Sequence, residues 1–108
     1  MKKHQTKLSV PHDERVIDRL RRDPEFAVHY LKAAFEEATD EDGQHVLLSA
    51  IRQIAQARGI ANVARAAGIK RESLSRALSA KGNPRLDTLC AVIHAIGLQL
   101  TVEPAHHV

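Results

Sequence analysis

The chain has 108 residues, 44% of them hydrophobic and 27% charged, with no Trp, one Cys and a formal net charge of +3. One small domain fits that length, and an aromatic content of 3% argues against a β-sandwich or barrel, which draw on aromatic and β-branched residues. One cysteine excludes an internal disulfide framework, and the chain carries neither an apolar run of roughly 18 residues nor a signal-like start, so a cytoplasmic protein is expected.

Residues 1–12 are polar and basic without sustained periodicity and read as an arm. From Asp13 to Arg22 a short amphipathic stretch sets Val16, Ile17 and Leu20 on one side. Asp23-Pro24-Glu25 then restarts the chain: Asp is a good N-cap, Pro suits the first helical position, and Glu favours the positive helix end. The helix that follows runs to about Ala38, with Phe26, Ala27, Tyr30, Leu31, Ala34 and Phe35 as its core stripe. An acidic turn from Thr39 to Gly43 precedes a third helix, Gln44 to Arg58, with the stripe Leu47, Ala50, Ile51, Ile54 and Ala55, stopped at Gly59.

Beyond Gly59 the elements shorten to Ala61–Ala67, Arg71–Ala80 and Leu86–Ile96, punctuated by Gly68, Gly82-Asn83-Pro84 and Gly97. The last segment alternates Leu98, Leu100 and Val102 with polar residues, the period of a half-buried strand. A lone strand needs a partner, and the same strand of a second copy supplies one, so a homodimer through Leu98, Leu100 and Val102 is expected.

Charge is segregated along the chain. Residues 60–86 hold six cations against Glu72 alone, whereas Glu36, Glu37, Asp40, Glu41 and Asp42 form an acidic cluster with no cation between them. One face for a polyanion and another for a different partner is the reading this favours. Within the cationic stretch, Ala64 lies four residues before Gly68, and Leu74 and Ala77 follow at six and nine. Two helices crossing closely need a small residue at the contact, here Ala64, and a left-handed residue to reverse the chain, here Gly68. Val63, Ile69, Leu74 and Leu78 fill the wedge between them. That is the helix-turn-helix pattern, the alternative being an ordinary α-hairpin. Its second helix offers Arg71, Ser75 and Arg76 to base edges in a major groove, since Arg fits the O6/N7 edge of guanine and Ser serves several bases. Lys70, Lys81 and Arg85, at helix ends and in the Gly-Asn-Pro loop, are placed for phosphates, as are Asn62 and Ser79.

Several segments together resemble a known family: Asp23-Pro24 with Tyr30 to Ala34, Ala57-Arg58-Gly59, Ala64 to Gly68, Arg71 to Leu78, Gly82-Asn83-Pro84 and Ile96 to Leu100. They resemble the Xre-type, lambda-repressor-like helix-turn-helix proteins, specifically the branch of probable addiction-module antidote proteins, also called HigA-like antitoxins. The resemblance implies a type II antitoxin that pairs with a small RelE/ParE-like toxin and represses its own operon as a dimer on operator DNA. The chain departs from the family in carrying Ala61, Lys70 and Arg85 where Ser or Thr usually caps a helix.

Rival sites are weaker. Cys90 and His94 stand four apart on one helix, but Cys90 shares the stripe of Leu86, Leu89, Ile93 and Ile96 and reads as a buried small hydrophobe. His4, His12, His29, His45, His94, His106 and His107 show no tight ligand spacing, and Asp40 to Gly43 lacks the ligand order of a calcium loop. No enzyme, cofactor or metal is expected. The fold expected is all-α: five or six helices, a lambda-repressor-like helix-turn-helix, and a short C-terminal β-strand pairing across a dimer. Its parts are an N-terminal arm and short helix (1–22), a DNA-binding domain with an N-terminal helical extension (23–103) and a tail (104–108). Two other readings stay open: a phage-type regulator without a toxin, and a protein-interaction module whose acidic turn and N-terminal helices hold a basic toxin.

Overall fold

The computed structural model describes residues 12–105; residues 1–11 of the expected arm (1–12), with His4, His106 and His107, lie outside the described residues, and His12 belongs to the first helix instead. Six helices make up the described chain: α1 (His12–Arg22), α2 (Pro24–Glu36), α3 (Glu41–Arg58), α4 (Ile60–Ala67), α5 (Arg71–Ala77) and α6 (Leu86–Ala95). The long α3 is the spine, packing against α1, α2 and α4, while α4 packs in turn on α5 and α6. None of the six is long and apolar enough to cross a membrane.

The helix starts follow from local chemistry. Asp23 caps α2 by accepting from the Phe26 N–H at 3.1 Å, with Pro24 in the first turn. Asp40 does the same for α3, accepting from Gly43 N–H at 2.8 Å, so this helix starts earlier than the acidic-turn reading placed it. Glu41 and Asp42 then sit in the first turn, where acids complement the helix dipole, and Gly43 lies inside the helix. A Cβ on Gly43 would strike the Glu37 carbonyl oxygen and approach Ala38 Cα to 2.9 Å, so only glycine lets the α2–α3 corner close.

One continuous core runs through the domain. Leu20, Leu31, Leu48, Ile51 and Ile54 are buried in the N-terminal half, and Val63, Leu74, Leu78, Val92, Ile93 and Ile96 in the C-terminal half. The stripes hold with local exceptions: Leu48 rather than Leu47 is the buried leucine of α3, Leu86 at the start of α6 is 71% exposed, and Cys90 is half-buried rather than enclosed. Gln53 is the one buried polar side chain among the described residues.

The expected C-terminal strand is not there: among the described residues no strand forms, and residues 98–105 carry no regular structure. Gly97 turns the chain at φ +90°, and the Leu98 N–H donates to the Ile93 carbonyl at 3.0 Å, closing α6. Leu98 packs onto the chain's own core. The reason is physical: a strand's hydrogen bonds are made with a neighbour, and a single chain with six helices supplies none.

Candidate nucleic-acid interface

Helices α4 and α5 are joined through Gly68, Ile69 and Lys70. Gly68 adopts the left-handed conformation, φ +74° and ψ 28°, and its N–H reaches the Arg65 carbonyl while the Ile69 N–H reaches Ala64. Those two bonds satisfy carbonyls that the end of α4 would otherwise leave open. Val63 and Ala64 on one side and Leu74 and Leu78 on the other are all 3% exposed or less, so the two helices share a dry contact with Ala64 within it. Two short helices, a left-handed glycine turn and a buried contact are what the structure places here.

With Leu74 buried, the remaining surface of α5 is turned to solvent: Arg71, Glu72, Ser75 and Arg76 are exposed. The helix ends at Ala77, a turn short of the expected Ala80, because the Leu78 N–H and Ser79 N–H bond to Leu74 and Arg76 carbonyls as the chain curls toward Gly82. Gly82 lies so close to the end of α5 that a Cβ there would collide with the Ala77 carbonyl. This tight return sets Lys81 and Asn83 beside Arg76, and with Ser73 and Thr88 they line an open concavity of about 410 Å³.

The residues expected at phosphates fall into two groups. Lys70 and Lys81 are exposed and make no ion pair among the described residues, as do Arg71 and Arg76. The others are engaged locally. Asn62 Oδ1 accepts from both terminal nitrogens of Arg65 at 3.1 and 3.2 Å, the Ser79 hydroxyl donates to the Arg76 carbonyl at 2.8 Å, and Arg85 Nε donates to Asp87 at 3.3 Å. The Thr88 N–H and then Arg85 hold the Asp87 carboxyl below the usual carboxylate range. Of the residues lining the concavity, Ser73 and Thr88 do not stand out in the sequence, and Asn83 does so only as part of the Gly-Asn-Pro loop.

Helix caps here depart from the usual pattern. Lys70 and Arg85 are the N-cap residues of α5 and α6, with extended backbone and no side-chain cap bond. Ala61, expected at a cap, lies one residue inside α4; Gly59 takes that position.

The α2–α3 corner exposes Glu36, Glu37, Asp40, Glu41 and Asp42. Cys90 is half-buried while His94 is exposed, and no group of three or more His, Cys, Asp or Glu residues is placed to hold a metal among the described residues.

Comparison with known proteins decides the family: residues 15–104 match the model of the family described as "Probable addiction module antidote protein". The chain belongs to that family. A Haemophilus influenzae protein described as uncharacterized is 45% identical to this antidote over 67 residues, which cover 62% of this chain and 69% of that protein. No solved structure matches the chain. An antidote role, with a cognate toxin as counterpart, follows from membership.

Proposed function

We propose that this antidote is the antitoxin of a type II toxin–antitoxin module, which binds operator DNA through α4 and α5, represses its own operon and neutralises a RelE/ParE-like toxin. One observation carries the DNA-binding part. α5 is anchored by fully buried Leu74 and presents Arg71, Ser75 and Arg76 to solvent, beside unpaired Lys70 and Lys81. Arg71 and Arg76 read base edges with Ser75, and Lys70, Lys81 and Arg85 contact phosphates. Asn62 and Ser79 support them, Asn62 through its hold on Arg65 and Ser79 through its bond at the end of α5. No residue is assigned a catalytic role.

The protein acts as a homodimer, so that two recognition helices meet half-sites about 34 Å apart, one turn of DNA. The toxin is met by the acidic α2–α3 corner. A ribonuclease-like toxin needs cations to hold RNA phosphates, and exposed Glu37, Asp40, Glu41 and Asp42 complement such a surface.

Gel shifts on the DNA upstream of the protein's own gene test the reading. Arg71→Ala and Arg76→Ala are each expected to cost about 1–3 kcal/mol of specific binding while leaving the far-ultraviolet spectrum unchanged. Binding unaffected by both changes overturns the assignment of α5. Pull-down of the product of the adjacent reading frame, weakened by Asp40→Asn with Glu41→Gln, tests the toxin surface.

A further inference from the structure

An open apolar groove of about 610 Å³ runs between α2 and the C-terminal segment. Val28 and Phe35 of α2 line one side, and Leu98 and Leu100 of the segment line the other. Val28 is 43% exposed and Leu100 38%, so the groove is unfilled apolar surface. Two residues further on, Val102 stands 93% exposed. Among the described residues, the backbone of residues 99–102 makes no hydrogen bond. One chain therefore displays both an apolar receptor and, beside it, an unpaired segment ending in an apolar side chain.

We propose that the groove is filled by the C-terminal segment of a second copy of this chain, each protomer's Val102 seated against the other's Val28. The inference rests on the dimeric reading above and names the surface that dimer uses. Donor and receptor on one chain satisfy each other reciprocally under a two-fold axis. Such a segment lying along its counterpart in the partner also completes the backbone hydrogen bonds that the isolated chain leaves open. Charge points to the same occupant. The groove's rim is mixed in sign, with Lys32 and Glu36 on α2 and Glu103 on the segment, Lys32 lying 3.9 Å from Glu103. With Lys32 and Glu103 already paired within the chain, the rim offers little free charge to a strongly cationic partner, which is better matched by the acidic corner.

The test uses the full chain. Val28→Glu puts a charge in the groove and, four residues before Lys32, a favourable helix pair, so α2 is preserved. Light scattering after size exclusion is expected to show a wild-type dimer and a Val28→Glu monomer with an unchanged helical spectrum. In a second measurement, made on a Cys90→Ser background, a Val28→Cys chain is mixed with a Val102→Cys chain under mild oxidation. A covalent heterodimer is the expected product. This decides the matter if Val28→Glu fails to fold. A dimeric wild type whose Val28→Glu form stays dimeric, or which gives no heterodimer crosslink, overturns the groove assignment and leaves the dimeric reading standing. A wild type that is monomeric at every concentration overturns both, including the case in which Val28→Glu lowers toxin capture because the groove is the toxin's seat.

Discussion

Tyr30 of α2 donates its hydroxyl proton to Gln53 Oε1 of α3 at 2.6 Å, and Gln53 Nε2 passes the chain of bonds on to Asp13 of α1, also at 2.6 Å. Three helices are thereby tied through one amide that is only 6% exposed. Both ends of the amide are satisfied, and no buried side-chain nitrogen or oxygen among the described residues lacks a partner. Gln53→Leu fills similar space and leaves the Tyr30 hydroxyl and the Asp13 carboxylate without their bonds. A loss of about 1–3 kcal/mol is expected in urea unfolding. Tyr30→Phe is expected to lose less than the sum when combined with Gln53→Leu, because both remove the same bond.

The surroundings of Tyr30 also shift its ionisation. Burial first, and then the nearby Asp13 carboxylate, push the phenol above its ordinary value of about 10. A folded-state value raised above the unfolded one contributes stability that is fully present below pH 10 and is lost as pH climbs through the folded value. Because the chain has a single tyrosine and no tryptophan, absorbance at the phenolate band reads this group alone. A titration midpoint above that of the urea-unfolded chain is expected, and Asp13→Asn is expected to lower it. Equal midpoints in folded and unfolded protein would contradict the burial of the Tyr30 phenol beside Asp13.

Much of this architecture is legible in the sequence, for stated reasons. Asp23-Pro24 and Gly68 carry backbone requirements that few other residues meet, and Ala64 with Leu74 and Leu78 marks a close helix contact. Gln53 was not legible, since a polar residue between Ala50 and Ile54 reads as a solvent position until Tyr30 and Asp13 are brought to it from 23 and 40 residues away. Leu98, Leu100 and Val102 keep the alternation of a strand, but pattern gives only a tendency; the hydrogen bonds need a neighbour. In the interface, the exposed cations of α5 were legible from helical period, whereas the engagement of Asn62 by Arg65 and of Ser79 by the Arg76 carbonyl depends on side-chain reach.

The two glycines bordering α5 are expected to respond differently to alanine. At Gly68 an added Cβ meets nothing within 4 Å, so the cost is confined to holding alanine at φ +74°, about 1–2 kcal/mol. Gly68→Asn is expected to cost less, asparagine tolerating the left-handed region best among the others. At Gly82 the methyl meets the Ala77 carbonyl, and relief requires the return after α5 to move, carrying Lys81 and Asn83 with it. Thermal unfolding of both variants beside DNA titration separates the effects. Gly68→Ala is expected to lower stability with little change in affinity once folded, and Gly82→Ala to lower affinity even where the protein remains folded.

Lys70 and Arg85 test whether local stability has been exchanged for affinity to a polyanion. Each is the N-cap of a helix that lacks a side-chain cap, and a cation there opposes the helix dipole. Replacement by serine supplies the missing acceptor, which typically adds about 1 kcal/mol. Lys70 makes no ion pair among the described residues, so Lys70→Ser is expected to realise that gain in full and raise the Tm. Arg85 donates to Asp87, and Arg85→Ser gives up that exposed contact, so its gain is expected to be smaller. In DNA binding the expected effect has the opposite sign. If α5 lies on DNA as proposed, each substitution removes a cation from phosphate, and the slope of log affinity against log salt is expected to flatten by about one counterion. A Lys70→Ser protein that melts higher yet keeps the wild-type slope shows that Lys70 does not face phosphate, and the placement of α5 against DNA must then be revised.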